Sequence, residues 1–190
     1  MSPTSPIRID LALQGGGAHG AFTWGVLDRL LQEEDLEIVG VSGASAGSMN
    51  AAALVSGLAT GGRDGARTLL REFWTRIGEA GAFNPLRSTP WNSMAGNWSL
   101  NDTPGYRWLQ SFARMASPYQ LNPFNIDPLR RIVGEMFDFD AINGNASTRL
   151  FVCATNVETG GARIFRQPAI TVDSILASAC LPFAHHAVEI

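Results

Sequence analysis

The sequence predicts an α/β domain built on a mainly parallel sheet, and two observations carry that prediction. The apolar runs "IRIDLAL" and "EIVGVS" each end in a glycine cluster that opens a helix-like pattern, and strand–helix–strand–helix with short links implies parallel strands with helical crossovers. The 190 residues are 45% hydrophobic and 16% charged, which suits one domain with a core of its own. Residues 1–190 are therefore read as a single domain.

Ile7, Ile9, Leu11 and Leu13 alternate, giving a strand ended by Gly15, Gly16 and Gly17. Phe22, Val26, Leu27, Leu30 and Leu31 mark the apolar face of the next helix. Residues 37–42 form the second strand, and 43–47 turn it into an alanine-rich helix over 46–54. A helix over 64–77 presents Leu69, Leu70, Phe73, Trp74 and Ile77. The texture then changes. Residues 84–125 carry Pro85, Pro90, Pro104, Pro118 and Pro123 among Trp91, Trp98 and Trp108. A stretch this long in a compact domain is expected to hold short helices and loops near the mouth of a site, or else to be a surface insertion that packs its tryptophans for stability. A helix over 128–137, a strand over 149–157, a turn at 159–161 into "ARIFR", and a helix over 172–179 stopped by Pro182 complete the pattern.

Several functions are excluded or disfavoured early. The net charge is −3, so there is no basic surplus for phosphate neutralisation on nucleic acid. Cys153 and Cys180 lie in apolar stretches and read as buried free thiols, without the count or spacing of a disulfide or metal site. "MSPTSPIRID" has no apolar signal-peptide core, and no run approaches the length of a transmembrane helix. A cytoplasmic protein is the default expectation, with peripheral contact at a membrane if the three tryptophans meet a bilayer interface rather than a core.

Gly43-Ala44-Ser45-Ala46-Gly47 is G-x-S-x-G between a strand and a helix, the context that a nucleophile elbow requires. A serine on so tight a turn needs small neighbours, and each flanking residue is Gly or Ala. The helix that follows aims its first N–H groups at the same space, so Ala46 N–H would stabilise an oxyanion. Tight helix–strand packing is the structural alternative. Gly15-Gly16-Gly17-Ala18-His19-Gly20 also fits the dinucleotide fingerprint G-x-G-x-x-G. That fingerprint wants an acid at the end of the second strand. Val41-Ser42-Gly43 stands there instead, and Asp35 and Glu37 lie at the strand's other end. The loop is better read as a cradle of converging backbone N–H groups. Neighbouring parallel strands would bring both clusters to one edge, so the two motifs make one active site: nucleophile Ser45, oxyanion hole Gly15, Gly16, Gly17 and Ala46, with Gly20, Gly43 and Gly47 as structural motif glycines.

These residues resemble the patatin-like phospholipase family, whose signature joins a G-G-G-x-[R/K]-G loop to G-x-S-x-G. "ATNVETGGARIF" and "ILASACLPF" resemble later family segments, so the likeness runs from about Ile7 to Ile190. The resemblance implies a three-layer α/β/α fold and hydrolysis of lipid acyl esters through a Ser–Asp dyad and an acyl-enzyme, with no metal or other cofactor. The implied partner is a lipid or acyl-ester substrate, with transient contact at a membrane surface.

Two departures stand out. His19 replaces the loop's basic residue, as an alternative donor or as support at the helix start. The family's catalytic Asp lies in D-G-[G/A] after the segment matching "ASACLPF", and the chain stops at Ile190. The expectation is a C-terminally truncated chain whose dyad acid lies beyond Ile190, inactive in isolation. Asp64-Gly65-Ala66 spells D-G-A but starts a helix, where an N-cap Asp explains it better, and Asp127 before Pro128 reads the same way. Asp138, Asp140 and Asp173 lack the motif. His185 and His186 read as loop or pocket lining rather than as a triad base. The competing reading is a non-catalytic acyl-lipid binding module with an incomplete dyad.

Overall fold

The computed structural model describes residues 5–82, 127–180 and 186–190. The insertion expected over 84–125 and His185 lie outside the described residues. A four-stranded sheet has the order β1 (Ile7–Leu13), β2 (Leu36–Ala44), β3 (Arg149–Thr155), β4 (Ala162–Arg166). The first three strands are parallel and β4 returns antiparallel to β3, so the class is mixed α/β with a mostly parallel sheet flanked by helices.

The alternation of side chains fixes which face is covered. Val41, Leu150, Val152, Ala154 and Phe165 point into the core, while Asp10, Ala12, Ser42, Ala44, Thr155 and Ile164 are exposed. Cys153 falls on the exposed side of this alternation, so it is not buried as its apolar surroundings suggested; Cys180 is half-buried, and both thiols are free. The helices of the described residues join the one core on the covered face, where Leu54, Leu70, Phe73, Ile132, Ile142 and Ile175 meet the strands.

Helix α1 (Gly20–Leu30) buries Gly20 and Leu27, with Trp24 half-buried, and Leu31 just past its end is buried too. That spacing of four, three and four is one helical face. It overlaps the face read from the sequence only in part: Leu27 and Leu31 are buried and Leu30 half-buried, but Phe22 is 80% exposed and Val26 44%. Gly20 decides the rotation. A Cβ there would lie 2.7 Å from the Trp74 ring and 2.8 Å from Ala46 Cβ, so this side of α1 must press against its neighbour.

Helix α2 (Ala46–Ala82) is interrupted at Gly61 and Gly62, where φ is −147° and 61°. Contacts across the break, Asn50 with Trp74 and Gly57 with Ala66, both centre on these glycines. The span is therefore an antiparallel helical hairpin whose halves contain the two helices that the sequence predicts. Arg63 holds the turn in place by donating to the carbonyls of Leu31, Glu33 and Leu36. Asp64 is not an N-cap but a first-turn residue beyond the break, 96% exposed and paired with Arg67 at 3.8 Å.

Three shorter helices complete the core: α3 (Pro128–Met136), α4 (Phe139–Gly144) and α5 (Val172–Ala179). Asp127 caps α3 through bonds from Leu129 and Arg130 N–H, as its place before Pro128 predicts. The sequence reading passed over α4, capped by Asp138, because six residues are too few to show a period. Thr171 and Ser174 form a reciprocal capping box on α5. No helix among the described residues is long and apolar enough to cross a membrane.

Candidate active site

β1 and β2 pair in parallel with Leu13 opposite Gly43, so both glycine clusters leave the sheet side by side at its carboxyl edge. They also touch. A Cβ at Gly15 would lie 3.0 Å from both Ser45 Cβ and the Ala44 carbonyl oxygen.

Ser45 sits at the junction of β2 and α2 with φ 53°, the single non-glycine residue with positive φ among the described residues. Such a conformation costs a residue with a side chain about 1–3 kcal/mol and persists where its surroundings over-determine it. Here the Ser45 carbonyl accepts from Ser48 N–H at 2.9 Å, Met49 N–H at 3.3 Å and the Ser48 hydroxyl at 2.6 Å. Its N–H donates to Ser178 Oγ at 2.9 Å. The two motif glycines of the elbow allow close backbone approach. A Cβ at Gly43 would meet the Gly47 carbonyl oxygen at 2.4 Å, and one at Gly47 would meet the Leu13 carbonyl oxygen at 2.1 Å. The first turn of α2 thus rests on the ends of β1 and β2, and the half-buried Ser45 stands above them.

In the other loop, Gly16 precedes a 3-10 turn over Gly17–His19, and Gly17 has φ 56°. The N–H groups of Gly16, Gly17 and Ala46 have no hydrogen-bond acceptor among the described residues. The N–H of Gly15, the fourth candidate, likewise has no acceptor among the described residues. His19 is exposed, and its Nδ1–H donates to the Gly16 carbonyl at 3.1 Å, the same oxygen that its backbone N–H reaches at 3.1 Å. The imidazole therefore braces its own loop. Gly20 begins α1, with its carbonyl held by Asn50.

Among the described residues no side chain hydrogen-bonds the Ser45 hydroxyl. The aspartates weighed from the sequence are engaged elsewhere or lie on other elements. Asp64 pairs with Arg67, Asp127 and Asp138 cap helices, Asp140 lies in the first turn of α4, and Asp173 meets Arg130 at 2.6 Å. His186 lines a cavity of about 330 Å³ with Asp127, Arg130, Asp173, Cys180 and Glu189, and Ser45 is not part of its wall. The His186 carbonyl accepts from Cys180 Sγ at 3.2 Å, and burial raises the Cys180 thiol above its ordinary pKa. No group of three His, Cys, Asp or Glu side chains among the described residues is arranged to hold a metal ion.

Two residues at the site escaped the sequence reading. Ser178 contacts the elbow from α5, a partner 133 positions away that no local pattern reveals. Asn50 is fully buried; its amide donates to the Gly20 carbonyl at 2.9 Å and accepts from Trp74 Nε1 at 2.8 Å. A lone amide in the alanine run of α2 was the available signal.

No curated protein matches the chain. Among solved structures, a chain of the heterodimeric ExoU–SpcU complex from the type III secretion system of Pseudomonas aeruginosa is similar at 20% identity and a TM-score of 0.43, covering 93% of this chain and 36% of that one. A chain in a second structure, full-length SpcU with full-length ExoU, shows 16% identity and a TM-score of 0.32, with 93% and 39% covered. This chain thus spans less than two-fifths of either. The family described as patatin-like phospholipase matches residues 11–190. With all but its first ten residues inside that match, and with a serine elbow and a glycine loop meeting at one sheet edge, the chain belongs to the patatin-like phospholipase family.

Proposed function

We propose that the protein is a serine hydrolase of lipid acyl esters, with Ser45 as nucleophile and the N–H groups of Gly16, Gly17 and Ala46 as its oxyanion hole. The observation that carries this reading is the left-handed Ser45 at a strand–helix junction, packed against a glycine loop whose Gly16 and Gly17 N–H groups have no acceptor among the described residues. Ser45 Oγ attacks the acyl carbon while a base takes its proton. The carbonyl electrons collect on oxygen, facing the three N–H donors. Collapse expels the alcohol, which takes the proton, and leaves Ser45 acylated. Water, deprotonated by the same base, then releases the fatty acid and restores the hydroxyl.

The base in this proposal is an aspartate, the dyad partner that the family resemblance implies for the serine. A serine hydroxyl without a base in reach is a weak nucleophile, so the reaction requires that carboxylate beside Ser45.

A fluorophosphonate probe on the protein tests the nucleophile. It should label Ser45, and Ser45→Ala should remove both labelling and ester hydrolysis. Full activity in Ser45→Ala would remove the proposal. With no side chain hydrogen-bonded to the Ser45 hydroxyl among the described residues, the site also suits an acyl-lipid binding module; binding of acyl lipid with neither labelling nor turnover would select that reading.

A further inference from the structure

We infer that Ser178 is a positioning residue for the nucleophile, an inference that rests on Ser45 as the reacting group. Ala44 is the last residue of β2 and pairs with Cys153 of β3. One residue later the elbow turns out of the sheet, and the Ser178 hydroxyl carries the connection onward. It accepts from Ser45 N–H at 2.9 Å and donates to the Cys153 carbonyl at 2.6 Å.

A hydroxyl has one proton to donate, and a carbonyl offers none. The Ser178 proton is therefore committed to Cys153, which leaves a lone pair aimed at the Ser45 amide. Ser178 has no proton for a substrate or a leaving group in this arrangement. It acts through the backbone of Ser45.

The helix that carries it is itself fixed. Ile175 and Leu176 are buried in the core, Thr171 and Ser174 cap the first turn, and Asp173 pairs with Arg130 of α3. Ser178 thus ties a strained residue to two rigid elements, α5 and β3. Without its oxygen, Ser45 N–H and the Cys153 carbonyl both lose their partner. The elbow can then rotate toward a less strained φ. Such a rotation moves Ser45 Oγ and the Ala46 N–H together, so attack and oxyanion stabilisation weaken at once. Substrate binding away from the reacting carbonyl is untouched.

The test uses Ser178→Ala, Ser178→Val and Ser178→Thr in the protein, with Ser45→Ala alongside. Thr and Val have nearly the same shape and differ in the hydroxyl. Ser178→Ala and Ser178→Val should lower kcat roughly tenfold at unchanged KM, as expected for one well-placed hydrogen bond. The rate of fluorophosphonate labelling at Ser45 should fall by the same factor. Ser178→Thr should recover most of both, and its fold by circular dichroism shows that the site accepts the volume of Val. Wild-type kcat in folded Ser178→Val, or a loss in Ser178→Thr equal to that in Ser178→Val, overturns the inference. If Ser45→Ala abolishes hydrolysis while the Ser178 variants do not lower it, only the positioning role fails. If Ser45→Ala remains active, the hydrolase reading itself fails.

Discussion

Asn50→Ala should destabilise the protein by an amount that can be worked from its contacts. Asn50 is fully buried and joins three segments: its own first half of α2, Trp74 on the returning half, and Gly20 where the glycine loop enters α1. Its orientation is dictated by chemistry, since an indole N–H can only donate and a carbonyl can only accept. Truncation leaves Trp74 Nε1, on a residue 9% exposed, without an acceptor. An orphaned buried donor costs about 1–3 kcal/mol. The Gly20 carbonyl suffers less, because a helix supplies it with a second donor four residues on; its lost bond is worth about 1 kcal/mol. The sum is about 2–4 kcal/mol, which lowers the melting midpoint by about 4–16 °C in a domain of this size. Thermal circular dichroism measures the shift directly. Trp74→Phe provides the partner substitution for a double-mutant cycle. Each single change orphans the other's group, whereas the double change removes both, so the pair should couple by about 1 kcal/mol or more. Melting of Asn50→Ala within about 1 °C of wild type, or additivity within about 0.5 kcal/mol, would refute the reasoning.

Gly16→Ala should fold normally, since its Cβ would make only an ordinary 3.5 Å contact with His19 Cβ, yet lose about 100-fold in ester turnover. Wild-type turnover in that variant would place the oxyanion hole elsewhere. Gly47→Ala should lower the urea midpoint through overpacking of about 1–3 kcal/mol or more, because its Cβ would lie 2.1 Å from the Leu13 carbonyl oxygen; an unchanged midpoint contradicts this. Asp28 has its carboxyl held below the ordinary pKa, first by a hydrogen bond from Arg67 and against the opposing effect of burial. A depressed folded pKa gives stability that is present above the unfolded value and lost as pH falls through the folded one. The advantage of wild type over Asp28→Asn should therefore hold from neutral pH to about pH 4 and shrink below it; a gap that persists undiminished to pH 2 would disprove the link.

The sequence by itself determined the class and the heart of the candidate site. Gly43, Ser45 and Gly47 are legible because the spacing of the motif between a strand and a helix is local; a Cβ at Gly43 would meet the motif's own Gly47 carbonyl, whereas the closeness of Gly47 to Leu13 is a contact between β1 and the first turn of α2. The alternation of Ile9, Leu11 and Leu13, and the cap at Asp127, are local patterns of the same kind. Only the tertiary structure decided which face of α1 is buried. Phe22 and Leu27 are equally apolar in a list, but Gly20 must meet Trp74, and that contact turns Phe22 outward. It also decided that Cys153 faces away from the core, since an apolar neighbourhood in sequence does not say which side of a strand is covered. Ser178 shows the limit most clearly. A hydroxyl is compatible with many helical positions, and what gives this one its role is the alignment of Ser45 N–H and the Cys153 carbonyl, which exists only after β2, β3 and α5 have packed.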